Sequence, residues 1–335
     1  MSAQRATAKF DRLSLEPTRK VDVTFDLKEI IVAADIGGTQ MRAALVRGDG
    51  EILLRRELPT PHNVNVPNEL TDLISSVAHQ ALIGEQAASR VVIGLPGAVD
   101  YHAGRLLWAP HLPESWPEQL SESQLQATIG LPVQIANDAD VAALGEAYFG
   151  SGRDFRDVAY ITISTGIGAG FVFGGRLLRG NRSLGELGHT VIDWTAWLAH
   201  RPATLEELAS GTGLTRMATE IGLSALSGEK INELVQSGDT DALQIWGRAI
   251  AAAAVGITNL TMAFSPEVVV IGGGLGLQPN FFAALQETFS RSVPPQMSPT
   301  PLVLAALGDN AGLIGTTRWT ASNDWGDLKQ IRQKR

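Results

Sequence analysis

The sequence predicts an α/β fold built from two lobes that share a duplicated core. Its 335 residues exceed the roughly 100–200 that one domain usually contains. A glycine-rich turn between two apolar runs occurs twice, near residue 37 and near residue 166, and strand patterns alternate with helical patterns along most of the chain. We therefore expect two α/β lobes, each opened by its own glycine hairpin, with a cleft between them.

The first predicted elements are a three-stranded meander and a crossover. Residues 1–28 mix basic and acidic side chains without a sustained period and are expected to form an extension. Strands are predicted from Ile30 to Asp35, from Met41 to Val46 and from Ile52 to Leu58, followed by a helix from about Asn68 to Gln86 and the apolar strand Val91 to Leu95. Strand, helix and strand in this order indicate a parallel crossover.

The second half of the chain repeats this opening. A strand that ends at Ile135 precedes a helix with Asn137 or Asp138 at its start. The later predicted elements are strands from Val158 to Ile163, Phe171 to Phe173, Val268 to Ile271 and Pro301 to Ala306, a turn over Ser164 to Gly170, and a long helix to Phe264 before Pro266. We place the small lobe at 29–136 plus about 307–322 and the large lobe at 137–306.

The composition excludes several classes of protein. A formal net charge of -8 argues against nucleic acid as the main partner. The chain has no cysteine, which excludes disulfides, thiol nucleophiles and cysteine-based metal sites. The apolar run from Ala249 to Ala263 is shorter than a membrane span and is expected to be a buried helix. Because the start lacks the pattern of a secretory signal, we expect a cytoplasmic protein without membrane contacts.

The segment Asp35-Ile36-Gly37-Gly38-Thr39 has the chemistry of a phosphate-binding hairpin. Glycines allow backbone N–H groups to converge on an anion, the Thr39 hydroxyl adds a donor, and Asp35 can hold a hydrated Mg²⁺ beside the phosphates. An ordinary tight turn is the alternative. A Walker loop is excluded, because no Gly-Lys-Ser/Thr follows and the chain returns as a strand.

The segment from Ser164 to Gly170 has a similar design. Its Gly-x-Gly pair could suggest a dinucleotide-binding fold, but an apolar strand pattern follows it where that fold requires a helix. A second phosphate-binding hairpin explains the pattern better.

Carboxylates and one imidazole lie between and after the hairpins. Asn137 and Asp138 at a helix start can hold a sugar diol and accept a hydroxyl proton, and an ordinary N-cap is the alternative role of Asp138. Glu186 and His189 in a Gly-Glu-Leu-Gly-His segment could converge on a polyhydroxylated ligand. Glu206 and Glu207 would by themselves be taken as a solvated helix face.

Together, and in this order, these blocks resemble the ROK family of sugar kinases, most closely its bacterial glucokinase branch, from about Ile30 to about Thr317. The matching segments are Asp35 to Thr39, Gly94 to Asp100, Asn137 with Asp138, Ser164 to Gly170, Gly185 to His189, Leu205 with Glu206 and Ala209 to Gly211, Gly272 to Gly274, and Gly308 to Gly315. The resemblance implies a two-lobed actin-like ATPase fold of the ribonuclease H-like type. It implies transfer of phosphate from ATP to the 6-hydroxyl of glucose, feeding glycolysis, by a homodimer or higher homo-oligomer.

The resemblance also implies the role of each site residue. The catalytic base would be Asp138, and the sugar would be bound by Gly97, Asn137, Asp138, Glu186, His189 and Glu206. ATP would be bound by Asp35, Gly37, Gly38, Thr39, Thr165, Gly166, Gly273 and Gly274, with Asp35 positioning Mg²⁺ through water.

The chain departs from the family pattern at two places. The family commonly carries a cysteine cluster after its histidine that binds structural zinc, and here the interval from Thr190 to Thr204 has no cysteine. We therefore expect no zinc, with Trp194 and Trp197 holding this loop by apolar packing. His111 stands where relatives often have asparagine, which makes the choice of sugar less certain.

Three alternatives remain from the sequence. A relative acting on fructose, mannose or an N-acetylated sugar, or one using polyphosphate as donor, would carry the same motifs. A sugar-sensing repressor of this family would add an N-terminal DNA-binding domain of about 60 residues, longer than the 28-residue extension.

Overall fold

Two five-stranded sheets with the same strand order form the framework of the protein. The computed structural model of the chain describes residues 25–61, 68–83, 87–110, 112–223 and 226–319. The first sheet contains β1 (Ile30–Ile36), β2 (Gln40–Arg47), β3 (Ile52–Pro59), β4 (Val91–Leu95) and β7 (Val133–Asn137). The second contains β8 (Val158–Ile163), β9 (Ile167–Phe173), β10 (Arg176–Leu177), β11 (Val268–Gly272) and β12 (Leu302–Leu304).

The pairing within the two sheets confirms the predicted duplication. The first sheet has the order β3-β2-β1-β4-β7 and the second the order β10-β9-β8-β11-β12. In each sheet a three-stranded antiparallel meander continues through its first strand into two parallel strands. A separate two-stranded hairpin, β5 (Ala98–Asp100) with β6 (Arg105–Trp108), follows β4.

Helices cover the two sheets and connect them. Their bounds are α1 (Asn68–Ile83), α2 (Glu122–Ile129), α3 (Asp138–Tyr148), α4 (Trp194–Leu198), α5 (Leu205–Ala209), α6 (Gly211–Glu220), α7 (Gly228–Gln236), α8 (Thr240–Phe264), α9 (Pro279–Ser292) and α10 (Ala311–Gly315). Helix α3 packs against β8 and β9 of the second sheet and against α10, which in turn contacts β1 and β2 of the first sheet. These two short helices therefore form a junction between the sheets.

Helix α8 is the buried helix that the apolar run predicted. It is long and apolar enough to cross a membrane by length and composition, but half of its most apolar window is buried inside the protein. Its buried side chains join the core of the second sheet together with those of α5 and α9. The helix ends at Phe264, and Ser265 after it has a left-handed φ of 51° just before Pro266.

The second glycine turn is shorter than predicted. The turn over Ser164 to Gly170 was expected to precede a strand at Phe171, but β9 already begins at Ile167. A Cβ on Gly170 would lie 2.6 Å from the Ala139 carbonyl oxygen, and one on Gly168 would lie 3.1 Å from the Ala139 Cβ. These two glycines therefore let α3 pack closely on β9, a long-range requirement that the local pattern does not show.

Candidate active site

A cleft of about 570 Å³ lies between the two sheets, and every site residue predicted from the sequence lines it. The end of β1, the β1–β2 turn and the residue before β5 contribute Asp35, Gly37, Gly38, Thr39 and Gly97. From α3 and the second sheet with its helices come Asn137, Asp138, Thr165, Gly166, Glu186, His189, Glu206, Gly273 and Gly274. Residues as far apart in the chain as Asp35 and Gly274 thus share one surface. His111, whose effect on the choice of sugar was in question, lies outside the described residues.

The first hairpin places an acid and a base opposite each other. Asp35 and Arg42 are direct cross-strand partners of β1 and β2, and Arg42 Nη1 lies 3.3 Å from Asp35 Oδ2. Burial raises the pKa of Asp35, and the Arg42 guanidinium opposes this rise. The turn itself is held by the Gly37 N–H, which donates to the Gln40 carbonyl at 2.8 Å.

The second hairpin is held from behind by the start of α6. The Gly211 N–H donates to the Ser164 carbonyl at 2.7 Å, and the Thr212 hydroxyl donates to the Thr165 carbonyl at 2.8 Å. The turn after β11 approaches from the other side at Gly273, which has a φ of +81° and where a Cβ would lie 2.4 Å from the Ile163 carbonyl oxygen. Only glycine permits this approach, so the two glycine turns of the second lobe meet at the cleft.

Asn137 joins the start of α3 to the residue before the β5–β6 hairpin. It is the N-cap of α3, because its Oδ1 accepts hydrogen bonds from the N–H groups of Ala139 and Asp140 at 3.0 and 3.2 Å. Its Nδ2 donates to the Gly97 carbonyl at 3.0 Å. One amide hydrogen of Asn137 is left for a ligand. The N-cap role that competed for Asp138 thus belongs to Asn137.

Asp138 is the first residue of α3 and faces the cleft. Burial, followed by the negative charge of Asp35, raises its pKa to about 7. One carboxylate oxygen accepts the Ala139 N–H at 2.7 Å. A carboxylate that gains and loses a proton near neutral pH is suited to act as a general base.

A buried pair behind the cleft fixes the start of α3. The Tyr101 hydroxyl donates to the buried carboxylate of Asp140 and accepts the Asn137 N–H at 3.1 Å. The Arg179 guanidinium lies 5.1 Å from the centre of the Tyr101 ring. Desolvation raises the pKa of Asp140 to about 7. The sequence could not assign this pair, since nothing local shows that a tyrosine 39 residues earlier reaches Asp140.

The opposite wall carries the other polar residues predicted to bind sugar. Glu186 and His189 lie on one short 3-10 helix, with His189 Nε2 3.7 Å from Glu186 Oε2. The His189 ring centre is 5.2 Å from that of Trp108, which is the last residue of β6 in the β5–β6 hairpin. Glu206 Oε2 accepts the Ile167 N–H at 2.7 Å, which ties this wall to the second glycine hairpin.

Glu207 does not share this role. Its carboxylate accepts the Thr204 N–H at 3.0 Å, and the Thr204 hydroxyl accepts the Glu207 N–H, so the two residues form a capping box at the start of α5. The sequence predicted an exposed helix face here, and Glu207 is exposed but also caps the helix.

The expectation that Trp194 and Trp197 hold their loop by apolar packing is wrong. Both lie on α4, a five-residue helix whose one buried side chain is Ala196, and they are 71% and 58% exposed. The loop is held by backbone pairing instead, because the Ile192 N–H donates to the Ala203 carbonyl at 2.9 Å. Among the described residues, no group of three or more metal-binding side chains is found here or elsewhere.

The sequence missed two charged residues of the cleft, Arg42 and Asp309. Arg42 Nη2 lies 3.4 Å from Asp309 Oδ2, which links β2 to the segment before α10. The available signal was an arginine among the apolar residues of β2, on the same face as Gln40 at the cleft end.

Comparison with known proteins identifies the family. The ROK family model matches residues 31–323. The chain is 36% identical over 296 residues to the bifunctional enzyme NanE/NanK of Brucella melitensis, covering 87% of this chain and 54% of that protein, so it spans about half the length of that relative. It is 30% identical to a glucokinase of Streptomyces coelicolor and 33% identical to an N-acetylmannosamine kinase of Shigella flexneri, each covering 85% of this chain and 96% of the relative.

Solved structures agree in fold. A ROK hexokinase from Thermus thermophilus superposes with a TM-score of 0.74 at 30% identity, covering 90% of this chain and 99% of that chain. A ROK family glucokinase from Streptomyces griseus, in complex with glucose and AMPPNP, gives a TM-score of 0.73 at 28% identity and covers 86% and 98%. The two-lobed actin-like fold with a duplicated core is thereby confirmed, and the chain belongs to the ROK family.

Proposed function

We propose that this protein is an ATP-dependent hexose kinase that transfers the terminal phosphate of ATP to the 6-hydroxyl of glucose. The observation that carries the proposal is the position of Asp138. Its carboxylate, with a pKa near 7, lies in the one cleft that also contains both glycine hairpins and the polar residues of the opposite wall. Phosphoryl transfer requires mainly positioning and charge neutralisation, and this cleft offers groups for both.

In this proposal one end of the cleft binds the nucleotide and the other binds the sugar. The glycine turns at Gly37 and Gly166 supply backbone donors and hydroxyls for the phosphates, and the Gly273 turn lies beside them for the nucleoside. Asn137, Glu186, His189 and Glu206 form a set of donors and acceptors for sugar hydroxyls, and Gly97 lets the chain approach them closely. Asp138 orients the attacking hydroxyl and accepts its proton.

The acidic end of the cleft fits Mg²⁺. Burial, with a further contribution from neighbouring negative charge, raises the pKa values of both Asp35 and Asp138. A divalent cation would relieve the repulsion between these carboxylates. Carboxylate oxygens are the donors that Mg²⁺ prefers, and Asp35 would position it through water. Bound there, Mg²⁺ would neutralise phosphate charge.

The proposal names glucose as the preferred sugar. Glucose is favoured by the glucokinase-like motifs, and the relatives at similar identity include both glucokinases and an N-acetylmannosamine kinase. We further propose a cytoplasmic homodimer or higher homo-oligomer and lobes at 29–136 with about 307–322 and at 137–306.

A coupled assay of ADP release tests the proposal. The purified chain is assayed with ATP and Mg²⁺ on glucose, fructose, mannose and N-acetylmannosamine, and with polyphosphate as a competing donor. We expect the highest kcat/KM with glucose and ATP, and loss of turnover in the Asp138→Asn variant. Activity confined to another sugar or to polyphosphate would replace glucose or ATP in the proposal, and inactivity on every sugar with both donors would contradict a hexose kinase.

A further inference from the structure

A buried acid that the proposed reaction does not use lies behind the cleft. Asp140 stands two residues after Asp138 on α3, its side chain is fully buried, and it does not belong to the lining of the cleft. A buried carboxylate is costly unless it has hydrogen-bond partners and a nearby positive charge. Burial raises the pKa of this acid, whereas the neighbouring side chains of Tyr101, Ser183 and Arg179 lower it. These partners make Asp140 the centre of a polar cluster behind the cleft.

We propose that Tyr101 and Asp140 are positioning residues, which hold the proposed sugar-binding start of α3 from behind without touching the ligand. This inference rests on the proposed function, because it takes Asn137 as a sugar-binding residue. The Tyr101 hydroxyl is the link, since it donates to the Asp140 carboxylate and accepts the Asn137 N–H at 3.1 Å. Because the carboxylate orients this hydroxyl, the tyrosine oxygen presents a lone pair to the N–H.

The position of Asn137 decides which groups the sugar meets. Its side chain is already committed to two N–H groups of α3 and to the Gly97 carbonyl, which leaves one amide hydrogen for the ligand. A turn of the Asn137 peptide would move this hydrogen and the adjacent Asp138 carboxylate away from the sugar hydroxyls. Because a misplacement of about 1 Å can cost roughly 100-fold in rate, a fixed backbone at this place serves catalysis.

The same carboxylate lies beside the segment that carries Glu186. Ser183 is buried next to Asp140, and its hydroxyl oxygen accepts the Gly185 N–H at 3.0 Å. Gly185 directly precedes Glu186, and a Cβ on Gly185 would lie 1.6 Å from the Ala169 carbonyl oxygen, so this segment packs closely on β9. The cluster around Asp140 therefore adjoins both segments whose side chains face the proposed sugar.

The Tyr101 ring is held independently of its hydroxyl. The Arg179 guanidinium lies 5.1 Å from the centre of this ring and 5.0 Å from that of the Trp319 six-membered and five-membered ring system, which is a cation–π arrangement. The Tyr101 N–H donates to the Asn181 carbonyl at 3.1 Å. Tyr101→Phe therefore removes the hydroxyl alone and keeps the packing and backbone contacts of the residue.

Tyr148 provides a matched control at the other end of α3. Its hydroxyl donates to the Gly175 carbonyl, and the residue does not belong to the lining of the cleft. Tyr148→Phe removes the same group from the same helix. It therefore measures the general cost of losing a tyrosine hydroxyl bond, separately from any effect on the sugar.

Steady-state kinetics with ATP and calorimetric titration with AMPPNP and glucose test the proposal on the full chain. If the panel above identifies another hexose, that sugar replaces glucose. We expect Tyr101→Phe to lower kcat by roughly 10- to 100-fold, because the start of α3 is displaced. It should weaken sugar binding by roughly 2- to 12-fold, the weight of one hydrogen bond, and leave AMPPNP affinity unchanged. Tyr148→Phe should leave all three quantities unchanged.

Variants of Asp140 test whether the two residues act together. Asp140→Asn keeps an oxygen that accepts the Tyr101 hydroxyl, so it should retain more of kcat than Asp140→Ala. The double variant Tyr101→Phe with Asp140→Ala should lose no more than Asp140→Ala alone, because both changes break the same contact. Losses that multiply in the double variant would show two independent effects and contradict the joint role.

The outcomes separate this role from the activity itself. If the unaltered protein phosphorylates a hexose but Tyr101→Phe keeps its kcat and its sugar affinity, the positioning role is wrong and the proposed function stands. Equal losses of sugar and AMPPNP affinity, or equal effects of Tyr101→Phe and Tyr148→Phe, would show a general structural defect and also overturn the role. An unaltered protein that neither binds nor phosphorylates a hexose would contradict both proposals.

Discussion

At the scale of single residues, the pKa of Asp138 connects its position with measurable chemistry. Only the ionised carboxylate can accept the proton of a sugar hydroxyl, and its pKa is about 7. We therefore expect kcat/KM to rise with pH through a midpoint near 7 and then to level off. Asp138→Asn should lower kcat by roughly 100-fold or more and abolish this rise, as measured by steady-state kinetics across pH 5.5–9. A variant with near-normal turnover would contradict the role of Asp138.

The raised pKa of Asp138 also predicts that folding stability falls with rising pH, whereas activity rises. The pKa of Asp138 lies near 7 in the folded protein and near 3.8 in the unfolded chain, so the folded state holds one more proton between those values. Folding stability therefore falls as pH rises through this window. Asp138→Asn should raise the free energy of unfolding at pH 7.5 by about 4 kcal/mol and leave it almost unchanged near pH 3.5. Urea denaturation at the two pH values measures the difference.

Trp108 should position His189 from the other side of the cleft. The two rings lie 5.2 Å apart, and such aromatic contacts contribute about 0.5–1.5 kcal/mol. Trp108→Ala should therefore raise the KM for the hexose by roughly 2- to 12-fold with little change in kcat. Leu107 is the control, since it precedes Trp108 on the same strand and is exposed to a similar extent, 44% against 47%. Equal effects of Leu107→Ala and Trp108→Ala would contradict this positioning role.

At the scale of elements, the junction of α3 and α10 depends on two glycines. A Cβ on Gly315 would lie 1.7 Å from the Val141 carbonyl oxygen, and one on Gly145 would lie 2.2 Å from the Ala311 carbonyl oxygen. Neither oxygen can move without shifting a helix. Gly315→Ala should therefore destabilise the protein by about 1–3 kcal/mol or more in chemical denaturation.

Gly247 in α8 provides the matched comparison for this junction. Nothing lies within 4 Å of a Cβ built there, and its φ is not positive. Gly247→Ala should stabilise the protein by about 0.5–1 kcal/mol, because alanine favours a helix interior. If the two substitutions have effects of the same sign and size, the close packing of α3 on α10 does not determine stability.

The elements also show what sequence alone could predict. The strands around Gly37 were placed within one or two residues, because apolar runs bounded by glycines carry that information locally. The turn after Ser164 was extended too far, because Gly168 and Gly170 serve the packing of a distant helix. The motif residues all reached the cleft, whereas Arg42 and Tyr101 could not be assigned, since their partners Asp309 and Asp140 are set by tertiary structure.

At the scale of the whole molecule, the cleft is built from two lobes that meet through few elements. Helices α3 and α10 form the junction, and the contact between Trp108 and His189 bridges the lobes at the end of the cleft that we propose binds the sugar. Such an arrangement is typical of kinases that close around their substrates. A sugar bound between Asn137 and Glu186 would draw the lobes together and bring the two glycine hairpins closer to each other.

This closure predicts that sugar and nucleotide bind cooperatively. Glucose should tighten AMPPNP binding by a factor of about 5–150, the usual range of coupling between two sites. Titrating AMPPNP with and without saturating glucose gives this factor, and titrating glucose with and without AMPPNP must give the same one, because coupling free energies are reciprocal. Reciprocal factors close to one would mean that each lobe binds its ligand independently. Since Trp108 lies on the closing contact, Trp108→Ala should reduce the factor, whereas Leu107→Ala should preserve it.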